Sequence, residues 1–136
     1  MNTVPLRPGL FIVDGDGARA LKGTRCAHCG RTYFPPRRVC PRCRRGDALA
    51  DVALGRIGVV HAATHVVRHP AHFACGYVLA EVDLPEGVRL RAQLGGDDAA
   101  HLRPGDRVEL AIEPLFMTAE GQAVLGYRFH KKKEAP

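Results

Sequence analysis

The chain has 136 residues, 46% of them hydrophobic and 25% charged, with a formal net charge of +6. That length suits one compact domain or two small ones, and that composition excludes a disordered chain. No run approaches the roughly 18–20 apolar residues that span a bilayer, and Met1 to Leu10 lacks a secretory pattern, so no membrane role and a cytoplasmic location are expected.

The charge is uneven. Residues 1–56 hold 11 Lys/Arg against 4 Asp/Glu, whereas residues 57–130 hold 6 against 9. Residues 131–136 form a basic tail, with Lys131, Lys132 and Lys133 against Glu134. An anion-binding surface is therefore expected on the N-terminal half or the tail.

Residues 1–10 read as an N-terminal arm. Phe11-Ile12-Val13 is a short β-run, Asp14-Gly15-Asp16-Gly17 a turn, and Ala18 to Arg25 returns toward the first cysteine. Then come Cys26-Ala27-His28-Cys29-Gly30, ten intervening residues, and Cys40-Pro41-Arg42-Cys43. Two CxxC turns can present four thiolates tetrahedrally, as zinc prefers. Gly30 falls where such a turn needs positive φ. Arg25, Arg31, Arg42 and Arg44 would partly offset the net −2 of a zinc–thiolate centre. A reducing cytoplasm and an odd count of five cysteines argue against disulfides. Four protein ligands leave no open position for water, so one structural zinc on Cys26, Cys29, Cys40 and Cys43 is expected, with His28 solvated beside it. Tyr33-Phe34-Pro35-Pro36-Arg37 crosses between the pairs and would cover the site. Residues 11–50 thus read as a rubredoxin-like zinc ribbon.

Residues 51–130 read as five short strands. The runs are Ile57 to Val67, Gly76 to Leu84, Val88 to Leu94, Arg107 to Ile112 and Ala123 to His130. Turns or loops separate them at 68–74, 85–87, 95–106 and 117–122, and 95–102 could hold one helical turn. Five strands with the longest excursion after the third fit a small OB barrel better than a generic sandwich or meander. The expected fold is all-β, a zinc ribbon followed by a five-stranded OB-fold barrel.

The quoted segments LKGTRCAHCGRTYFPPRRVCPRC, GRIGVVHAATHVV, YVLAEVDLPEGVRLRAQL and LRPGDRVEL resemble the zinc-ribbon/OB-fold proteins associated with acyl-CoA enzymes. The resemblance covers about residues 10–130, and its most specific part is the order CxxCG, FPPR, CPxC, then barrel. It implies a non-catalytic subunit of a thiolase-superfamily enzyme, as in a benzylsuccinyl-CoA thiolase or the steroid side-chain aldolases. Such a subunit would hold its partner in an active form and help enclose the CoA ester. Two departures stand out. Many relatives open with an amphipathic helix, and this chain opens FIVDGDGARAL. Many end with Phe-x-Pro, and this one ends Phe129-His130-Lys131 and a lysine run.

Catalysis by the chain itself has little to rest on. Cys75 is the only spare thiol, and a small cysteine entering a β-run is ordinary core. His61, His65, His69 and His72 read as exposed residues rather than a second metal site. The expected contacts with a partner or with CoA are Tyr33, Phe34, Pro35, Arg37, Arg38, Arg44 and Arg45, with Arg42 beside them, because arginine grips carboxylate or phosphate in bidentate fashion. The alternative is a nucleic-acid-binding protein. Against it, the barrel is acidic and its second and third strands offer only Tyr77 as a stacking aromatic.

Overall fold

A computed structural model describes residues 3–14, 17–66 and 77–132. The turn at Gly15-Asp16 and residues Lys133, His69, His72 and Cys75 lie outside the described residues.

Ten strands are described, with a single 3-10 turn at Ala99–His101. Five close the barrel: β6 (Ile57–Val66), β7 (Tyr77–Asp83), β8 (Arg89–Gly95), β9 (Arg107–Met117) and β10 (Ala123–Lys131). They run β6-β7-β8-β10-β9, and β9 returns to β6 through Ile57↔Glu109. All neighbours are antiparallel except β8 and β10, which pair in parallel at Arg128↔Gln93. This is the expected five-stranded OB topology.

The alternation that predicted these strands is the alternation that fills the barrel. On β7, Val78, Ala80 and Val82 are buried, and on β8 so are Leu90, Ala92 and Leu94. Phe129 of β10 and Val108 of β9 are fully enclosed. The intervening positions face outward, as a period of two requires.

Two details differ from the sequence expectation. Strand β9 continues past Ile112 to Met117, through Pro114. Pro114 is exposed and lies opposite Leu125, beside a register shift between Val124 and Leu125. Proline is tolerated at such an irregularity because no regular ladder bond is lost. The arm also contributes a strand: β1 (Thr3–Pro5) lies parallel to β10 through Thr3↔Ala123, beyond the stretch that β8 covers.

The ribbon is built on β3 (Gly17–Cys26). Its first half pairs with β2 (Phe11–Asp14), and its second half with β4 (Thr32–Tyr33) and β5 (Leu49–Ala53). Gly23 permits this crowding: a Cβ there would lie 2.7 Å from the Tyr33 carbonyl oxygen and 2.9 Å from Leu54 Cδ2.

Ribbon and barrel share one core. Leu10, Phe11, Leu21 and Leu54 belong to the same buried cluster as Val60, Val82, Leu110 and Phe129. Arg56 ties the two together outside that core. Its guanidinium donates to the Arg19 carbonyl on β3 and, at 2.9 Å, to the Leu110 carbonyl on β9.

Candidate metal centre

The two cysteine pairs fold into one turn used twice. In the first, Cys26 N–H donates to the Arg31 carbonyl at 2.9 Å and Gly30 N–H to the Cys26 carbonyl at 2.7 Å. In the second, Cys40 N–H donates to the Arg45 carbonyl at 2.9 Å and Arg44 N–H to the Cys40 carbonyl at 2.7 Å. Position for position the turns match, down to the left-handed residue: Gly30 has φ 78 and Arg44 has φ 59. The sequence signalled the first through its glycine. Arginine gives no such signal, so the strain at Arg44 appears only in the structure.

The turns bring the four sulfurs together. All lie within 4.8 Å of one another, with Cys26 and Cys43 Sγ 3.9 Å apart and Cys29 and Cys40 Sγ 3.7 Å apart. A tetrahedral Zn–S bond of about 2.3 Å implies sulfur separations near 3.8 Å, so the spacing fits one zinc ion. Cys26 and Cys40 are fully buried, Cys29 and Cys43 half-buried.

The thiol chemistry points the same way. Burial and the neighbouring sulfurs push the bare Cys43 thiol up to about 12. The Tyr33 hydroxyl, 3.3 Å from Cys40 Sγ, and backbone N–H groups draw Cys40 down to about 6. The Tyr33 phenol rises in turn to about 12, chiefly through its bond to Cys40. Four sulfurs this close cannot all be thiolates without a cation among them, whereas a divalent ion removes the conflict.

The remaining predicted contacts separate into groups. Phe34 turns inward and meets Tyr127 of β10. Pro35 is exposed and follows a cis peptide bond. Arg37 lies 5.6 Å above the Tyr33 ring while its N–H donates to Thr24 Oγ1 at 3.1 Å. Arg45 is clamped in bidentate fashion on Asp47, at 3.1 and 2.8 Å, which holds the Asp47 carboxyl below its usual range. Arg38 and Arg44 are exposed, as are Arg31 and Arg42, and these four hold no ion pair or side-chain hydrogen bond among the described residues.

His28, His61 and His65 are exposed. His61 Nδ1 is 3.8 Å from Asp83, and among the described residues the four cysteines are the one cluster with metal-ligand geometry. Thr24, buried under Arg37, is a supporting residue that the sequence did not signal. No helix among the described residues is long and apolar enough to cross a membrane.

Comparison with known proteins follows the same division. Residues 15–50 match the family model described as "ChsH2, rubredoxin-like zinc ribbon domain", and residues 51–113 match "ChsH2, C-terminal OB-fold domain". A DUF35 domain-containing scaffold protein of Methanothermobacter thermautotrophicus is 31% identical over 115 residues, which is 82% of this chain and 86% of the relative. The benzoylsuccinyl-CoA thiolase subunit BbsA of Thauera aromatica is 34% identical over 125 residues, 91% and 85% of the two chains. Its acyl group is benzoylsuccinyl, not the benzylsuccinyl that the resemblance suggested. A solved structure titled "Ltp2-ChsH2(DUF35) aldolase" matches with a TM-score of 0.68 at 29% identity, covering 83% of this chain and 85% of that one. The zinc-ribbon match and the four converging sulfurs assign one structural zinc to the site.

Proposed function

The chain belongs to the DUF35 family of ChsH2-type zinc-ribbon/OB-fold proteins, and from that membership we propose that it is a non-catalytic subunit of a thiolase-superfamily enzyme acting on a CoA ester. The observation that carries this is the match, over more than four-fifths of both chains, to a subunit of an acyl-CoA thiolase. The partner supplies the cysteine nucleophile for making or breaking the C–C bond. This chain supplies a shaped surface.

The zinc site supports such a role. Four thiolates from Cys26, Cys29, Cys40 and Cys43 complete a tetrahedral shell, so the ion fixes the ribbon's form and activates no water. The ribbon then presents Tyr33, Pro35, Arg37, Arg38, Arg44 and Arg45 toward the partner or the phosphates of CoA, while Phe34 braces that surface against the barrel. Four thiols held as a metal set rather than as disulfides suit the reducing cytoplasm.

Co-expression with a thiolase-superfamily subunit tests the reading. A stable complex, with activity that depends on this chain, is expected. A partner that is soluble and fully active alone, with no complex formed, would overturn it. A gel shift with single-stranded DNA and RNA tests the competing function: nanomolar, salt-sensitive binding would favour it.

A further inference from the structure

Arg44 stands where the fold asks for glycine. Its counterpart in the first cysteine turn is Gly30, and both adopt left-handed φ, at 59 and 78. The β-carbon makes that conformation costly for arginine and free for glycine. The metal-binding turn fixes its backbone, with the Arg44 N–H on the Cys40 carbonyl at 2.7 Å, but that turn asks nothing of a side chain, and the exposed Arg44 guanidinium holds no ion pair or hydrogen bond among the described residues. Its neighbours differ in having contacts within the chain, Arg45 with Asp47 and Arg37 with the Tyr33 ring.

Arg44 is also not alone. Arg31, Arg38 and Arg42 are exposed and unpartnered on the same ribbon. Residues 17–53 hold 9 Lys/Arg against 2 Asp/Glu, a charge of +7 that a −2 zinc–thiolate centre lowers only to +5. These arginines are all solvent-exposed on the two cysteine turns and the stretch between them. The polar cleft on the barrel is lined by residues such as Asp97, Asp106, Arg107, His130 and Lys131. A second ribbon would be repelled by like charge. Exposed guanidinium groups spread over two turns suit an extended acidic face, where each can take a carboxylate in bidentate fashion.

We infer that Arg44, with Arg31, Arg38 and Arg42, docks the ribbon onto an acidic protein surface, and that Arg44 keeps its strained position for that contact. This deepens and rests on the reading of the chain as a docking subunit, the acidic surface being that of the enzyme partner.

The test compares the full chain with Arg44→Gly and Arg44→Asn, since asparagine also tolerates left-handed φ. Zinc transfer from Arg44→Gly to a chromogenic chelator should be no faster than from the unaltered chain. Its affinity for the co-expressed thiolase-superfamily subunit should fall at least tenfold, with a shallower dependence of log Kd on log salt, and Arg44→Asn should behave alike. Faster zinc loss from Arg44→Gly, or unchanged affinity, overturns the inference and leaves the subunit reading standing. Poly-L-glutamate is the partner-independent probe. If the unaltered chain binds no thiolase-type subunit but is retained on poly-L-glutamate, and Arg44→Gly is not, the subunit reading fails and the acidic-surface inference holds. Equal retention of both chains overturns it. So does binding to single-stranded DNA that is tighter than to poly-L-glutamate and lost in Arg44→Gly.

Discussion

Phe34 of the ribbon and Tyr127 of the barrel meet edge to face, with ring centroids 5.7 Å apart and planes at 83°. Tyr127 is held in turn by its hydroxyl, which donates to the Arg91 carbonyl at 3.2 Å. The contact joins the segment between the cysteine turns to the last barrel strand.

Removing that contact should loosen the seam. Phe34→Ala is expected to destabilise the chain by about 1–3 kcal/mol, less than for a fully enclosed phenylalanine because Phe34 is half-buried. A double-mutant cycle with Tyr127→Leu should return a coupling of about 0.5–1.5 kcal/mol by chemical denaturation. A coupling near zero would mean that the rings touch without contributing.

Zinc removal should be felt in the barrel. Leu10, Phe11, Leu21 and Leu54 pack into the barrel's own cluster, so a ribbon that unfolds withdraws them. Zinc binding in small ribbons is worth about 10–16 kcal/mol, comparable to the roughly 5–15 kcal/mol of a whole domain. Calorimetry with a strong chelator should show one broadened transition at lower temperature. A barrel that melts at the same temperature with and without metal contradicts the shared core.

The Tyr33 hydroxyl should set the acid limit of metal retention. Its hydrogen bond is the largest of the contacts that favour the Cys40 thiolate over the thiol, so protons compete less well for that sulfur. In Tyr33→Phe the Cys40 thiol rises, and the midpoint of acid-induced zinc release should move to higher pH. Loss of such a supporting hydrogen bond typically lowers metal affinity about 10–100-fold. A competition titration at several pH values measures both effects, and an unchanged midpoint counts against the Tyr33–Cys40 bond.

A surface pair offers a pH signature of the opposite weight. Arg89 donates to both oxygens of Asp83, at 2.6 and 3.2 Å, and holds its carboxyl below the usual range. The depressed folded value means that the stabilisation is fully present above the unfolded carboxyl's value of about 4 and is lost as pH falls from there through the lower, folded value. Both side chains are half exposed, so Asp83→Asn should cost under about 1 kcal/mol at neutral pH and nothing in strong acid. Urea melts at pH 7 and at about pH 2 check the difference.

The metal ligands were legible because their signal is local: two CxxC turns need no knowledge of the rest of the chain. Four of the five barrel strands were legible for a related reason, since alternation and flanking turns lie within each run. Strand β9 runs past Ile112 through Pro114, and only the irregular pairing with β10 shows that a proline is tolerated there. Strand β1 was invisible as a strand because its partner, 123–125, lies about 120 residues away in sequence. The inward turn of Phe34 and the bridging by Arg56 likewise depend on residues distant in sequence. Arg44 was legible as an exposed charge but not as a left-handed residue, for a chemical reason: backbone strain is announced by glycine and concealed by any other side chain.

The pairing of β1 with β10 sets an order on biosynthesis. The ribbon is translated before the barrel that follows it and can take up its metal early, yet its apolar residues Phe11 and Leu21 have no barrel to rest against until later strands emerge. Thr3–Pro5 must wait longer still, because its sheet neighbour lies about 120 residues downstream. A nascent chain stalled before Ala123 would therefore display a metal-loaded but incompletely covered ribbon, a species that chaperones or the partner subunit would meet before the barrel closes.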